Sequence, residues 1–447
     1  MLSFLENFPV VLFLNYIYFA FITVLGVIFL FSVGWSVRSP FDRSQKLRFN
    51  GTEMLWVLTF GTGLLAFAAP GAIDLMAIRL LALELLCIIG TIMAKNSIAW
   101  SLPLLVYAAY LCWIIVGISY SEYPVYGVRV LLKNIYPLVI MIFASAVVRD
   151  REVFIKSLTV ARVVAIASIV VAFVPGVSHI MPIFWYGTAL AIAYIPMMIM
   201  SLGLYFHTDE KYKNAILTIV FLIPCFVWVF RTSIMGSAVA LMTFFFIKYR
   251  LRSLPVIFGV VLLAVLAVFS IPSLHKKMFR SDNVTIEEFQ DGEISKDDID
   301  SNGRFDMWEW SMDNYYKDNK LIGSGSGMLQ EAFYSLRHPY GSIRIVHNDY
   351  VQILCDNGLI GITLFLLSFI FLITHCFAVY NTKGEDASVR LCAIIAGASA
   401  AGVIVTMLSD NVINYTMATV SYPCGMYGMM LGLKAHYRKG LHHQLNR

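Results

Sequence analysis

Residues 254–272 read LPVIFGVVLLAVLAVFSIP, nineteen positions without one charged side chain. Coiled as an α-helix, this run rises about 28 Å, close to the ~30 Å hydrocarbon thickness of a bilayer. It is too long and too evenly apolar for a barrel strand, so it reads as a membrane-spanning helix. Directly after it comes the one long polar connection of the chain, 273–346. That junction of a lipid-soluble helix and a large exposed loop sets the fold class.

Similar runs recur on both sides of this stretch. They cover about 10–35, 53–70, 72–93, 98–119, 127–147, 153–174, 184–206, 213–230 and 232–248 before it, and 355–380, 388–409 and 412–433 after it. The expectation is an all-α, polytopic integral membrane protein with about thirteen transmembrane helices. Its parts are helices 1–10 in 1–272, a large outer loop with short helices and part of the active site in 273–347, helices 11–13 in 348–433, and a basic cytoplasmic tail in 434–447. Pro70 and Gly71 separate the second and third helices, and Arg231-Thr232-Ser233 the eighth and ninth. Met1 to Pro9 contains no Lys or Arg and no small-residue cleavage site follows, so the first helix is read as retained.

Composition agrees with lipid as the main solvent: 59% of residues are hydrophobic, 14% are charged, and mean hydropathy is +0.74. The net charge of +5 is no nucleic-acid signal, because the cations follow the topology. Arg38, Arg43, Lys46 and Arg48 share one loop, Lys95 lies in the next alternate loop, then Arg149, Arg151 and Lys156, then Lys211 and Lys213. Lys248, Arg250 and Arg252, then Lys383 and Arg390, then Lys434, Arg438, Lys439 and Arg447 continue the series. By the positive-inside rule these loops and the C-terminus are cytoplasmic, and the N-terminus and the 273–346 loop are outside. The seven cysteines lie in or beside apolar segments without metal-ligand spacing, so neither a disulfide framework nor a metal site is expected.

Within the long loop the first part, to Asn302, is polar and carries Glu287-Glu288 and Asp297-Asp298-Ile299-Asp300. It is expected to be mobile. Beyond it Phe305, Trp308 and Met312 recur at helical spacing, with Asn302 and Gly303 placed to cap. Gly323-Ser324-Gly325-Ser326-Gly327 supplies a turn, and it lacks the Lys-Ser/Thr ending of a nucleotide loop.

Three residues fall together on the outer surface by this topology. Arg231 sits in a nearly loopless turn between apolar helices, Arg304 opens the loop helix, and His347 closes the loop where it re-enters the membrane. Taken singly, each has a plain reading: snorkelling for Arg231, a solvated residue for Arg304, a capping histidine for His347. Taken together they suit group transfer from a phosphate ester, because arginine holds phosphate in a two-pronged grip and histidine accepts a proton at neutral pH. Arg129, Lys133, Arg337, His338 and Arg344 are secondary candidates on the same side. Asp410 and Asn411 read as turn residues with an option on sugar contacts. Asp74, Arg79 and Glu84 in the third helix, and Arg162 in the sixth, fit either a transporter's ion path or internal structural pairing.

The order Arg231-Thr232-Ser233-Ile234-Met235-Gly236, Asn302-Gly303-Arg304 with Trp308, Ile322-Gly323-Ser324-Gly325, His347-Asn348-Asp349-Tyr350 and Asp356-Asn357-Gly358-Leu359-Ile360-Gly361 resembles the bacterial O-antigen ligase and polymerase superfamily. The similar part runs from about Leu222 to Leu364, and an extra N-terminal helix departs from the usual plan of twelve. The resemblance implies a periplasm-facing, inverting, metal-independent glycosyltransferase of the bacterial inner membrane that uses no cofactor. It implies a glycan donor on undecaprenyl pyrophosphate, an acceptor that is another lipid-linked glycan or lipid A–core, contact with membrane lipid, and a flippase and a chain-length regulator as companions. Carried onto this chain, Arg231 and Arg304 would hold the pyrophosphate, and His347 would be the general base or orient the acceptor. A repeat-unit polymerase for O-antigen or exopolysaccharide is preferred. An O-antigen ligase and a lipid-linked sugar transporter stay open as alternatives.

Overall fold

The computed structural model describes residues 9–32, 35–38, 46–66, 75–94, 96–174, 188–228, 230–280, 284–291, 298–299 and 301–445. The described chain is almost entirely helical. Its first half holds α1 (Pro9–Phe31), α2 (Gly51–Gly61), α3 (Leu75–Met93), α4 (Leu102–Ser119), α5 (Pro124–Val147), α6 (Arg151–Phe173), α7 (Thr188–His207) and α8 (Lys211–Val227). Then come α9 (Arg231–Tyr249) and α10 (Leu254–Ser270), and in the loop α11 (Pro272–Met278), α12 (Ile286–Asp291), α13 (Arg304–Tyr315) and α14 (Met328–Tyr334). The chain closes with α15 (Asp349–Asn381), α16 (Ala387–Thr406) and α17 (Ser421–Leu445).

Among the described residues eight helical stretches are long and apolar enough to cross a membrane, one of them Arg231–Ser270, which holds both α9 and α10 with the 3-10 turn Arg250–Ser253 between them. The expected count of thirteen is therefore only partly matched. The segment expected over 53–70 is the clearest departure, since α2 has eleven residues and rises about 16 Å, half a bilayer core. Its start is set by Asn50, whose side chain accepts the Glu53 amide while Glu53 Oε2 accepts the Asn50 amide, a reciprocal capping box. The basic loop after α1 carries the only described sheet, an antiparallel pair of Trp35–Arg38 and Lys46–Phe49 in which Trp35 faces Phe49. The last helix runs on through the expected tail to Leu445. Pro70, Gly71, Asp74, Lys95, Asp297 and Asp300 lie outside the described residues.

In lipid there is little hydrophobic gain in bringing two apolar helices together, so close packing needs small residues. α16 is built for this: Ala, Gly and Ser occupy much of it, and it is buried along nearly its whole length against α7, α9, α15 and α17. At its crossing with α9 a Cβ placed on Gly236 would stand 2.4 Å from the Thr406 methyl, and one on Gly402 would stand 2.7 Å from the Gly236 carbonyl oxygen. This crossing brings the start of α9 against the end of α16. α10, in contrast, buries none of its residues and presents Phe258, Leu263 and Leu266 outward, as a helix immersed in lipid does.

Contacts between connections sort them onto two ends of the bundle. Arg149 donates to Ser97 O at 2.9 Å and to Gly432 O at 3.1 Å, Arg250 donates to Asn381 Oδ1 at 2.9 Å, and Lys434 lies 3.5 Å from Glu385. At the other end Tyr120 donates to Ile322 O at 2.6 Å and Arg304 donates to Ser409 O at 2.6 Å. The alternate basic connections thus share one end, and the long loop packs on the other.

Candidate active site

The site is organised by Ser409-Asp410-Asn411, the short link between α16 and the 3-10 turn Val412–Tyr415. The α9–α16 crossing sets Thr232 beside it, with the Thr232 and Ser409 hydroxyls 2.7 Å apart. Arg231, the preceding residue, opens α9 and directs Nη1 to the carbonyl of Lys277 on α11, while Lys277 Nζ lies 3.4 Å from Trp228 O. Arg304 comes from the other side. It is the first residue of α13, whose N-terminus is framed by Asn302 and Gly303, both in left-handed conformations at φ 51° and 73°. The Arg304 amide donates to Ser301 O at 3.1 Å at this end.

His347 completes the group. Its backbone sits at φ 53°, a conformation that costs a non-glycine residue roughly 1–2 kcal/mol. The Asn411 side chain holds it there by accepting the His347 amide at 2.6 Å. Nδ1 of the imidazole then stands 3.5 Å from Asp410 Oδ1, and the ring is about one third exposed. Asp410 Oδ1 is itself fixed by the Asn411 amide at 2.8 Å. Trp308 of α13 donates to Val346 O at 2.9 Å, so the loop helix carrying Arg304 is tied to the residue before His347.

The residues after His347 explain why it is held so firmly. Asn348 caps α15 by accepting the amides of Tyr350 and Val351 at 2.9 and 3.1 Å. Asp349 joins the same link: its amide donates to Met407 O at 3.0 Å, and its carboxyl accepts from Asn411 Nδ2 at 3.2 Å and from the Ile413 amide at 3.1 Å. Tyr350 donates to Ile404 O at 2.8 Å. The His-Asn-Asp-Tyr segment is therefore a partly exposed imidazole, a cap for α15, and two residues, Asp349 and Tyr350, that weld α15 to the end of α16.

The Asp356-Asn357-Gly358 segment is a dock for the glycine run. Asp356, fully buried, accepts the amides of Gly327 at 3.0 Å and Leu329 at 2.9 Å, and Asn357 Oδ1 accepts the Ser326 hydroxyl at 2.7 Å. At Gly358 α15 kinks, with φ 65° and ψ −165°, and a Cβ there would stand 2.4 Å from Leu321 O. Gly323 to Gly327 are thus a packing element of the loop, in keeping with their lack of a nucleotide-binding ending.

Of the secondary candidates, Lys133 reaches the turn that follows the link: it donates to Asn414 Oδ1 at 2.7 Å and lines a narrow cleft with Gln330, Asp349, Gln352 and Asp356. Arg129 and Arg344 flank the Tyr334 ring at 6.0 and 5.4 Å. Arg337 pairs with Glu331, donates to the Tyr123 hydroxyl at 2.6 Å and covers its ring at 4.6 Å. His338 has both nitrogens engaged within the loop, with Ile343 O at 2.7 Å and the Tyr340 amide at 3.1 Å, and stacks on Phe333 at 4.4 Å. It holds the loop's small core together and has no nitrogen left for a proton from a substrate.

Two of the mid-membrane charges bond to polar groups of the bundle. Arg79 donates to the carbonyls of Thr62 and Leu65, finishing the short α2, and Arg162 donates to Asn214 Oδ1 at 2.7 Å. Among the described residues no cluster of His, Cys, Asp and Glu could hold a metal.

Asp410 and Asn411 are the residues that sequence reasoning underrated. Their role comes from partners at 347 and 349, more than sixty positions away, which no local pattern reveals.

No curated protein matches the chain. Residues 216–366, about a third of its length, match the family model described as O-Antigen ligase, and this stretch includes Arg231, Arg304 and His347. Over that third the chain is similar to O-antigen ligases, and with the many-helix membrane body the match supports the O-antigen ligase and polymerase superfamily and a function of that general type.

Proposed function

We propose that the protein is a repeat-unit polymerase that transfers a glycan from undecaprenyl pyrophosphate to a sugar hydroxyl of a second lipid-linked glycan. The observation that carries this reading is the meeting of Arg304, His347 and the Arg231-Thr232 turn on one link, Ser409-Asp410-Asn411. Two arginines and one imidazole are the groups this reaction asks for. The guanidinium forks neutralise the leaving pyrophosphate, as a metal ion otherwise would.

The step is a single displacement. His347 Nε2 takes the proton of the acceptor hydroxyl as its oxygen attacks the anomeric carbon, and the bond from that carbon to the pyrophosphate oxygen breaks on the opposite face. Undecaprenyl pyrophosphate leaves as an anion against Arg231 and Arg304, and the anomeric centre is inverted. Asp410, facing Nδ1, stabilises the imidazolium until its proton is lost to water. The loop 273–346 faces the periplasm in this reading, and a flippase upstream and a chain-length regulator would work beside the enzyme.

A ligase would share every one of these steps and differ in its acceptor. The test is transfer by purified protein in lipid from one labelled undecaprenyl pyrophosphate glycan to two acceptors in turn. Extension of a second lipid-linked glycan supports the polymerase, and transfer to lipid A–core alone assigns the ligase.

A further inference from the structure

The end of the bundle opposite the candidate site gathers three cations and one imidazole of its own. His207 ends α7, Lys248 lies in the last turn of α9, Arg250 follows it, and Arg390 opens α16. These residues come from three separate helices. Lys248 Nζ stands 4.4 Å from the Phe206 ring, Arg390 Cζ stands 4.9 Å from the Tyr380 ring, and the His207 ring is 6.0 Å from that same tyrosine. Lys248 and Arg390 each bear on His207 electrostatically, and Arg390 bears on Lys248.

Among the described residues no carboxylate pairs with any of the four. Of the acids in the neighbouring connections, Glu210 lies 3.0 Å from Lys213, Glu385 lies 3.5 Å from Lys434, and Asp386 accepts the amides of Ser388 and Val389 at the start of α16. Clustered like charges repel, and an arrangement that brings the cations of α9 and α16 together beside the His207 imidazole without an acid is stabilised by an external anion. Aromatic rings beside them mark the level of the lipid headgroups, where such rings collect. Basic pockets between helix ends at this level take acidic lipid headgroups.

We propose that His207, Lys248, Arg250 and Arg390 form a binding site for the phosphate of an anionic phospholipid, on the face opposite the glycan-transfer site. The site does not depend on the catalytic reading. A bound acidic lipid would relieve the repulsion between α9 and α16, the helices whose far ends carry Arg231 and Ser409.

The test uses full-length protein in nanodiscs of phosphatidylcholine containing a minor share of phosphatidylglycerol, with retained lipids counted by native mass spectrometry. Wild type should retain phosphatidylglycerol over phosphatidylcholine, and the double variant Lys248→Gln/Arg390→Gln should lose that preference by a factor on the order of tenfold. The charge-preserving pair Lys248→Arg/Arg390→Lys should keep it. Should the double variant fail to fold, the exposed Arg390→Gln alone is read for a smaller loss. Unchanged retention in the charge-removing variants would overturn the proposal. Displacement of the lipid by millimolar inorganic phosphate would overturn it too, by assigning the cations to a free anion.

Discussion

Nδ1 of His347 faces Oδ1 of Asp410 at 3.5 Å, while the amide of the same histidine is gripped at 2.6 Å by the neighbouring Asn411. One acid stands ready for the charge the imidazole acquires, and one amide side chain fixes where the imidazole points. The separation exceeds a hydrogen bond, so the pairing tightens only when the ring is protonated. Asp410→Asn should then lower transfer by about 10- to 100-fold with donor affinity nearly unchanged, because the carboxylate acts on a charge that develops during reaction. Single-turnover transfer beside donor titration reads both quantities, and a variant that transfers at the wild-type rate would remove Asp410 from the mechanism.

The left-handed backbone at His347 separates stability from activity. Glycine adopts φ 53° without penalty, so His347→Gly should fold as stably as wild type, or gain up to about 1 kcal/mol, while losing transfer. A histidine kept for structure alone would give the opposite result. Melting temperature and transfer measured on the same preparation distinguish the two.

At the kink of α15 the expectation is purely structural. Gly358→Ala places a Cβ 2.4 Å from Leu321 O at a positive φ, and should cost about 2 kcal/mol or more by pushing the glycine run off its dock. Protein yield and thermal midpoint should fall together with activity. Wild-type stability in this variant would mean that the loop does not seat on Asp356-Asn357-Gly358.

Topology can be read with an impermeant thiol reagent on intact cells, in a Cys112→Ala background because Cys112 is the exposed native thiol. A cysteine at Ser342 in the long loop should label, and one at Lys383, between α15 and α16, should label only after the membrane is opened. The reverse pattern would put the candidate site on the cytoplasmic side and sink the proposed donor chemistry.

Much of this architecture was legible from hydropathy alone, because a lipid-facing helix must be apolar along its whole length and α10 is. Arg231 stood out for a related reason, since charge at the edge of an apolar helix is costly, and Arg304 and His347 joined it because the expected topology puts all three at one membrane surface. The eleven-residue α2 was less legible, since its apolar run continues past the helix end, where Arg79 takes up the Thr62 and Leu65 carbonyls from another helix. The hairpin at Trp35–Phe49 is hidden in a basic loop whose charges dominate its reading. Asp410 and Asn411 look like any turn until His347 and Asp349 are folded against them.

The arginines should tolerate no conservative exchange. Arg304→Lys keeps the charge, yet lysine cannot both donate to Ser409 O and hold a phosphate in a planar fork. A loss of donor affinity of about tenfold or more is expected, with a comparable loss for Arg231→Lys. Wild-type transfer by both variants would end the pyrophosphate-clamp proposal.

The most direct test of the whole account is His347→Ala, measured as single-turnover glycan transfer by purified protein in lipid, with folded amount and donor affinity determined on the same sample. The account predicts a fall in rate by a factor on the order of 10²–10⁴ in protein that is well folded and binds donor normally. Full transfer by that folded variant would contradict it.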